Sequence, residues 1–267
     1  MKQYKRNKVD ECNICLQVKQ LSWDHVPPKS GIVLTAVEID YVFKLLANRE
    51  NKKTHISQNG VKYRTICSDC NSKIGSEYDP ILNGFNEEVS RFLNSKLVLP
   101  RFTIIKTKPV RLIKAILAHI ISAKKAIDEV TFDESVRKFI FSEIHTIPDD
   151  INIFFWVYPY DNSIIMRDFM IPQVPGDFQT FTFCHLLKYF PIAFIITQSP
   201  AFRGLESLTK YKHYGIDQEA DIRIDLNSVE DYDWPERINE SNIFIASAET
   251  HNAITVKPRR NNKSCKN

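Results

Sequence analysis

The chain has 267 residues, 43% of them hydrophobic and 25% charged. That is enough apolar material for one large domain or two ordinary ones, and it argues against global disorder. No apolar run is long enough to cross a bilayer, and the basic start MKQYKRNKVDECNIC has no apolar h-region, so neither a membrane protein nor a secreted one is expected and the reading is cytoplasmic. The net charge of +4 is unevenly spread: residues 1–130 carry +9 (22 Lys+Arg against 13 Asp+Glu) and residues 131–267 carry −5 (14 against 19). A basic front half facing a polyanion and a chance excess account for this equally well.

In chain order, residues 1–9 read as a loose basic arm. Gln20–His25 reads as a short strand that Val26-Pro27-Pro28 ends, because proline cannot donate to a ladder. Val37, Tyr41, Val42, Leu45 and Leu46 recur at helical spacing, which predicts a helix over 35–48. Asn59-Gly60 between strand-like flanks is a two-residue hairpin signal. A helix is expected to start in SDCNSKIGSEYD, weakened by Gly75, and another over 85–97. A short strand follows Pro100. Residues 109–127 give the clearest helix, with Pro109 in its first turn and lysines at its end, and 133–144 suits one more. From residue 151 the runs INIFFWVYPY, SIIMRDFMIP, FQTFTFCHLLKYF and PIAFIITQ are aromatic and β-branched between turn residues, which predicts an antiparallel sheet. KPRRNNKSCKN at the end reads as a disordered basic tail. The expected fold class is therefore α+β, with a metal-binding front over residues 1–99 and an α+β unit over 100–267.

Four of the six cysteines form two C-x-x-C pairs, Cys12/Cys15 and Cys67/Cys70. In a reducing compartment such pairs hold metal more often than they form disulfides. Together they supply four thiolates to one tetrahedral zinc, at about 2.3 Å per bond. With no open position, that zinc is structural. The 51 residues between the pairs (16–66) exceed the usual ribbon spacing of about 15–20, so the intervening segment is expected to pack on the site as an insertion. Cys184 reads as a small core residue, and Cys265 carries no signal.

Asp24-His25 lies between the two pairs, and Asn71 follows Cys70 directly. A carboxylate and an amide oxygen are hard ligands suited to Mg²⁺ or Mn²⁺, and a histidine titrates near working pH and can serve as a base. Hydrolysis of a phosphodiester needs both. Taken alone, Asp24-His25 reads more often as a surface pair or a satisfied core histidine than as a site.

The order C-x-x-C, D-H-V-P-P-K, C-x-x-C-N, over about residues 12–79, resembles the zinc-containing HNH (ββα-metal) endonucleases. The resemblance implies a small ββα-metal domain. In it Asp24 is a ligand of the catalytic divalent cation, His25 the general base, Asn71 the second cation ligand, and Cys12, Cys15, Cys67 and Cys70 the structural zinc ligands. Two departures stand out. The segment between His25 and Cys67 is longer than in compact members, and the family's middle Asn has only His55 and Asn59 as loose matches. Where some members carry a third histidine, this chain has Asn71, Glu77 and Asp79. Asp79 reads as a further ligand, a helix-capping acid or, by preference, a surface charge.

Lys29, Lys62, Arg64 and Lys73 are candidate phosphate contacts, with Lys106, Lys108, Arg111 and Lys114 as a second candidate surface. Trp23 is expected to pack the small core, and His119 to be buried and hydrogen-bonded on its helix. His145, His185, His213 and His251 have no partner pattern. The expected function is a metal-dependent endonuclease that hydrolyses phosphodiester bonds in DNA, with RNA the lesser substrate. The alternative is a non-catalytic zinc module that binds nucleic acid, or an adaptor. Residues 100–267 are assigned recognition, binding of an activator or homodimer formation. Small nucleases with an attached sensing domain occur in bacterial defence and mobile elements, an association at the level of fold alone.

Overall fold

The computed structural model describes residues 6–29, 36–42, 54–127, 131–141, 146–172, 181–200, 202, 204–236, 245–246 and 252–259. In chain order the elements begin with strands β1 (Val9–Glu11), β2 (Val18–His25), β3 (Val37–Tyr41), β4 (His55–Ser57) and β5 (Lys62–Cys67). Helices α1 (Ser68–Glu77) and α2 (Asp79–Leu93), strand β6 (Phe102–Thr107) and helices α3 (Pro109–Ser122) and α4 (Thr131–Phe141) follow. Strands β7 (Asn152–Val157), β8 (Ser163–Pro172), β9 (Phe181–Tyr189), β10 (Ile192–Thr197), β11 (Glu206–Ser207), β12 (Ala220–Asp225), β13 (Ile245–Ala246) and β14 (Ala253–Pro258) complete the chain. The architecture is α+β. Among the described residues, no helix is long and apolar enough to cross a membrane.

The strands form three antiparallel groups: β1-β2-β5; a nine-stranded sheet in the order β11-β7-β10-β9-β8-β14-β3-β4 with β13 added on β8; and the ribbon β12-β6. The runs after residue 151 form the antiparallel centre of the large sheet, as their β-branched and aromatic content predicts. Both faces of β7 and β10 are covered. Ile153, Phe155 and Val157 of β7 and Ile192, Phe194 and Ile196 of β10 point into a core shared with the helices, whereas Phe154, Trp156, Ala193 and Ile195 point into a second core with Phe202 and Trp234. Strands covered on both faces are apolar at every position, not at alternate ones.

Helix α3 is buried at every position from Pro109 to Ser122 except Arg111. It contacts α2, α4, β5 and β9, so it lies between the cysteine-bearing front and the large sheet. Cys12, Cys67 and Cys70 belong to the same apolar cluster as Ile116 and Phe194.

Several expectations are corrected. The segment 35–48 is not a helix over Val37–Tyr41, which is β3, paired to β14 (Val37 with Pro258, Tyr41 with Ile254); Val42 is helical, and residues 35 and 43–48 lie outside the described residues. Val37, Ile39 and Tyr41 satisfy a period of two as well as a helical one, and the partner strand that decides between them is more than 200 positions away. Asn59-Gly60 does turn the chain, with Gly60 at φ 64 and Ser57 Oγ donating to the Gly60 carbonyl at 2.6 Å. The flanks do not form a hairpin, however: β4 pairs with β3 and β5 with β2. The helix expected over 85–97 begins at Asp79 with Pro80 in its first turn and ends at Leu93. Lys257 and Pro258, assigned to the tail, are the end of β14, while residues 260–267 lie outside the described residues. The arm is tied down from Arg6 onward: Arg6 donates to Asn13 Oδ1 (2.8 Å) and to the Thr65 carbonyl (2.7 Å), and Val9 opens β1.

Lys114 is buried on α3 and donates from Nζ to the carbonyls of Phe139 (2.9 Å) and Ile140 (3.1 Å) at the end of α4. Burial, with Lys73 and Arg111 adding repulsion, pushes its pKa down to about 8. A free lysine titrates at about 10.4, so between about pH 8 and 10.4 the unfolded chain keeps a proton that the fold releases. Stability from this group therefore rises with pH across that window. Lys114→Met is expected to remove that rise, read as denaturation midpoints at about pH 8 and about pH 10. A wild-type rise in the variant contradicts the assignment.

Candidate metal centre and active site

Cys12 follows β1 directly and Cys15 lies in the turn leading to β2. The turn is closed by Leu16 N–H to the Cys12 carbonyl (2.9 Å) and Cys12 N–H to the Gln17 carbonyl (3.0 Å). Leu16 adopts φ 57, a left-handed conformation costly for a side-chain-bearing residue, and the turn folds Cys15 back beside Cys12. Cys67 is the last residue of β5 and the N-cap of α1, with Cys70 in that helix's first turn. The four sulfurs lie within 4.8 Å of one another, with Cys15 Sγ 3.9 Å from Cys67 Sγ, and none is in a disulfide. Tetrahedral bonds of about 2.3 Å put thiolates about 3.8 Å apart, so this spacing fits one shared ion.

The backbone prepares the site for negative charge. Cys12 Sγ accepts from the N–H groups of Cys67 (3.2 Å) and Ile14 (3.4 Å). Hydrogen bonding from the Cys70 thiol, outweighing burial, lowers the Cys12 pKa to about 4, and the backbone N–H groups contribute. The same pairing raises Cys70, and burial raises Cys15. One thiolate is thus favoured, whereas further thiolates at this spacing require a cation among them.

Strands β2 and β5 pair from Leu21–Cys67 to His25–Lys62, with a register shift between Ser22 and Asp24. The shift puts an extra residue on β5 opposite Trp23, and such a bulge re-aims the neighbouring side chains. Leu21 and Asp24, three apart, are both buried, while Trp23 is 42% exposed. Trp23 therefore does not pack the small core: its ring faces outward with the Arg64 guanidinium 5.4 Å from its centroid. Helix α1 follows β5 without a break and returns Asn71 to β2. Asn71 Nδ2 donates to the Trp23 carbonyl (3.1 Å) and to Ser22 Oγ (3.0 Å), which orients the amide, with Oδ1 accepting from no donor among the described residues. The structure thus brings Asn71 to the residue that precedes Asp24.

His25 ends β2. Burial, then repulsion from Lys62, lowers its pKa, against the pull of Asp24 and a hydrogen bond with the Asn59 backbone. Its Nε2 is buried with no hydrogen-bond partner among the described residues. Of the two loose matches for a middle Asn, Asn59 therefore lies against His25 through its backbone, while His55 belongs to the large sheet on β4.

The carboxylate of Asp24 is 5% exposed and turns toward α3, where Ser122 Oγ donates to its Oδ2 at 2.6 Å. His119 Nδ1 lies 3.3 Å from the same oxygen, and His119 Nε2 lies 2.9 Å from Asp79 Oδ1. Burial alone would lower the His119 pKa; Asp79 and Asp24 outweigh it and raise it to about 10. His119 is buried and hydrogen-bonded as expected, but its partners lie outside its helix. Asp79, read by preference as a surface charge, is instead held against it. Neither His119 nor Ser122 carries a motif, and the spacing of three that places both on one face of α3 is the sole sequence signal for them.

Three residues of the second basic surface are occupied: Lys108 and Arg111 both bond Asp217 and Lys106 pairs with Glu219, while Lys114 is buried. Lys29 and Lys62 are near enough to His25 to repel its charged form. No protein-family model, curated protein or solved structure matches the chain.

Proposed function

We propose that this protein is a metal-dependent endonuclease of the HNH (ββα-metal) type that hydrolyses phosphodiester bonds in DNA. The observation that carries the proposal is local: an antiparallel strand pair runs straight into a helix, Asp24-His25 ends its first strand, and Asn71 on the helix is hydrogen-bonded to the backbone beside Asp24. The donor set fits the ions this reading requires. Cys12, Cys15, Cys67 and Cys70 would hold zinc, joining the turn after β1 to the β5–α1 junction. Asp24 and Asn71 would hold Mg²⁺ or Mn²⁺ through Oδ1 atoms to which no donor among the described residues is bonded. When bound, that cation supplies electrostatic stabilisation of charge on the phosphate and the leaving oxygen.

The chain's own residues do the rest. His25 takes a proton from water at Nε2, the ring atom with no partner among the described residues, and its lowered pKa favours the neutral ring that can accept that proton. Its contact with the Asn59 backbone fixes the ring. Asp24 and Asn71 present one oxygen each. Lys29 and Lys62 add positive charge beside His25, where a phosphate would approach.

His25→Ala is expected to keep its zinc content and melting profile and to lose roughly 10²- to 10⁴-fold in Mg²⁺-dependent cleavage, the range for a positioned general base. Equal cleavage by the variant would remove His25 from that role.

A further inference from the structure

Among the described residues, the Asp24 carboxylate is held through one oxygen. Its Oδ2 accepts a hydrogen bond from Ser122 Oγ at 2.6 Å and lies at ion-pair distance, 3.3 Å and without hydrogen-bond geometry, from His119 Nδ1, both on the last turns of α3. Neither group is free to swing. Ser122 Oγ also lies 3.0 Å from the His119 carbonyl, and its own carbonyl accepts from Thr65 Oγ1 at 2.6 Å. His119 is fully buried, and its far nitrogen is fixed by Asp79 Oδ1 at 2.9 Å. The turn carrying them is in turn held from both sides. Asn13, between Cys12 and Cys15, donates to the carbonyls of Ile121 (2.9 Å) and Lys124 (2.7 Å). From the large sheet Arg167 donates to the Ile120 carbonyl, and Asp168 pairs with Lys124 at 2.8 Å.

We infer that His119 and Ser122 are positioning residues for the divalent-cation ligand Asp24, with Asp79 fixing His119 behind them. This rests on the nuclease reading above. Occupying Oδ2 restricts Asp24 to offering Oδ1, in one direction, which is what a cation that demands near-ideal octahedral geometry requires of a carboxylate. Groups in the layer behind metal ligands commonly change affinity by about 10- to 100-fold when removed. A histidine that only filled the core would need partners, but it would not need this carboxylate. The inference also assigns part of the site to α3, about 50 residues beyond Asn71, so the C-X-X-C and D-H/N segments do not complete it by themselves.

The test uses the full-length, zinc-loaded chain and Mn²⁺ as probe, with binding followed by loss of the free-ion electron paramagnetic resonance signal. Ser122→Ala and His119→Gln are each expected to weaken Mn²⁺ binding by about tenfold. Their cleavage should recover substantially at saturating Mn²⁺, and Ser122→Thr should restore the affinity. Zinc content and melting are measured alongside, and Ser122→Ala removes too little to endanger the fold. Asp24→Asn serves as the reference. If wild type shows Asp24-dependent Mn²⁺ binding and cleavage while both α3 variants match it, the positioning role is overturned and the nuclease reading stands. If wild type binds no Mn²⁺ through Asp24 and does not cut, both fall together.

Discussion

Under the proposed zinc assignment, Cys67→Ser is expected to abolish zinc binding and to unfold the front of the protein. The residue has three tasks: it ends β5, caps α1 and supplies one of four sulfurs within 4.8 Å. Its backbone N–H also supports Cys12 Sγ at 3.2 Å. A serine hydroxyl has a far higher pKa than a thiol and would not replace a thiolate in a closed four-sulfur site. Structural zinc contributes on the order of 10 kcal/mol in small zinc domains, comparable with the whole stability of an ordinary fold of about 5–15 kcal/mol. Because Cys12, Cys67 and Cys70 are also core residues, the loss should spread to α1 and to the end of α3 docked on Asn13. Metal analysis and thermal melting of the variant check this. A variant with wild-type zinc and an unchanged melting midpoint would contradict a shared four-cysteine site.

Arg167→Met should destabilise the protein by about 3–5 kcal/mol, the usual result of removing one partner from a buried ion pair. Arg167 is almost wholly buried in the bulge of β8, where Asp168 adopts φ 57. The bulge turns both residues toward β9 and α3. Arg167 bonds Asp133 Oδ1 at 2.6 Å, donates through Nε to His185 Nδ1 at 3.2 Å, and donates to the Ile120 carbonyl. Methionine fills the volume but leaves Asp133 with Lys124 at 3.6 Å and Arg137 at 3.8 Å as its remaining ion pairs. It also removes one of two donors from the Ile120 carbonyl, which keeps the Ala123 N–H at 3.3 Å. Denaturant unfolding of the variant measures the loss; a change below about 1 kcal/mol would mean the surrounding charges re-pair without Arg167.

The parts of this molecule legible in its sequence are those fixed by short-range chemistry. Two C-x-x-C pairs, each in a turn or at a strand end, point to one cluster because a cysteine pair at that spacing presents both sulfurs to one side. The apolar runs after residue 151 read as strands because β-branched and aromatic residues suit a pleated surface. What was not legible depends on partners far away in sequence. Val37–Tyr41 fits two periodicities until β14 pairs with it. The turn at Asn59-Gly60 is real, but β5 takes β2 as its neighbour, and local turn chemistry cannot specify that choice. Trp23 reads as core until a bulge between Ser22 and Asp24 sends it outward. His119 reads as a core histidine because the carboxylates it bridges, Asp24 and Asp79, come from 95 and 40 positions earlier in the chain. His185 showed no partner pattern because its partners are Arg167 and the Asp168 backbone N–H across the bulge.

The most direct test of the central claim is to incubate the purified zinc-loaded protein with supercoiled plasmid, with and without added Mg²⁺ or Mn²⁺. The account predicts nicked or linear product only when the divalent cation is present, and its loss in Asp24→Asn with zinc retained. Intact plasmid, together with intact single-stranded DNA and RNA, at every cation concentration and with zinc bound would contradict it.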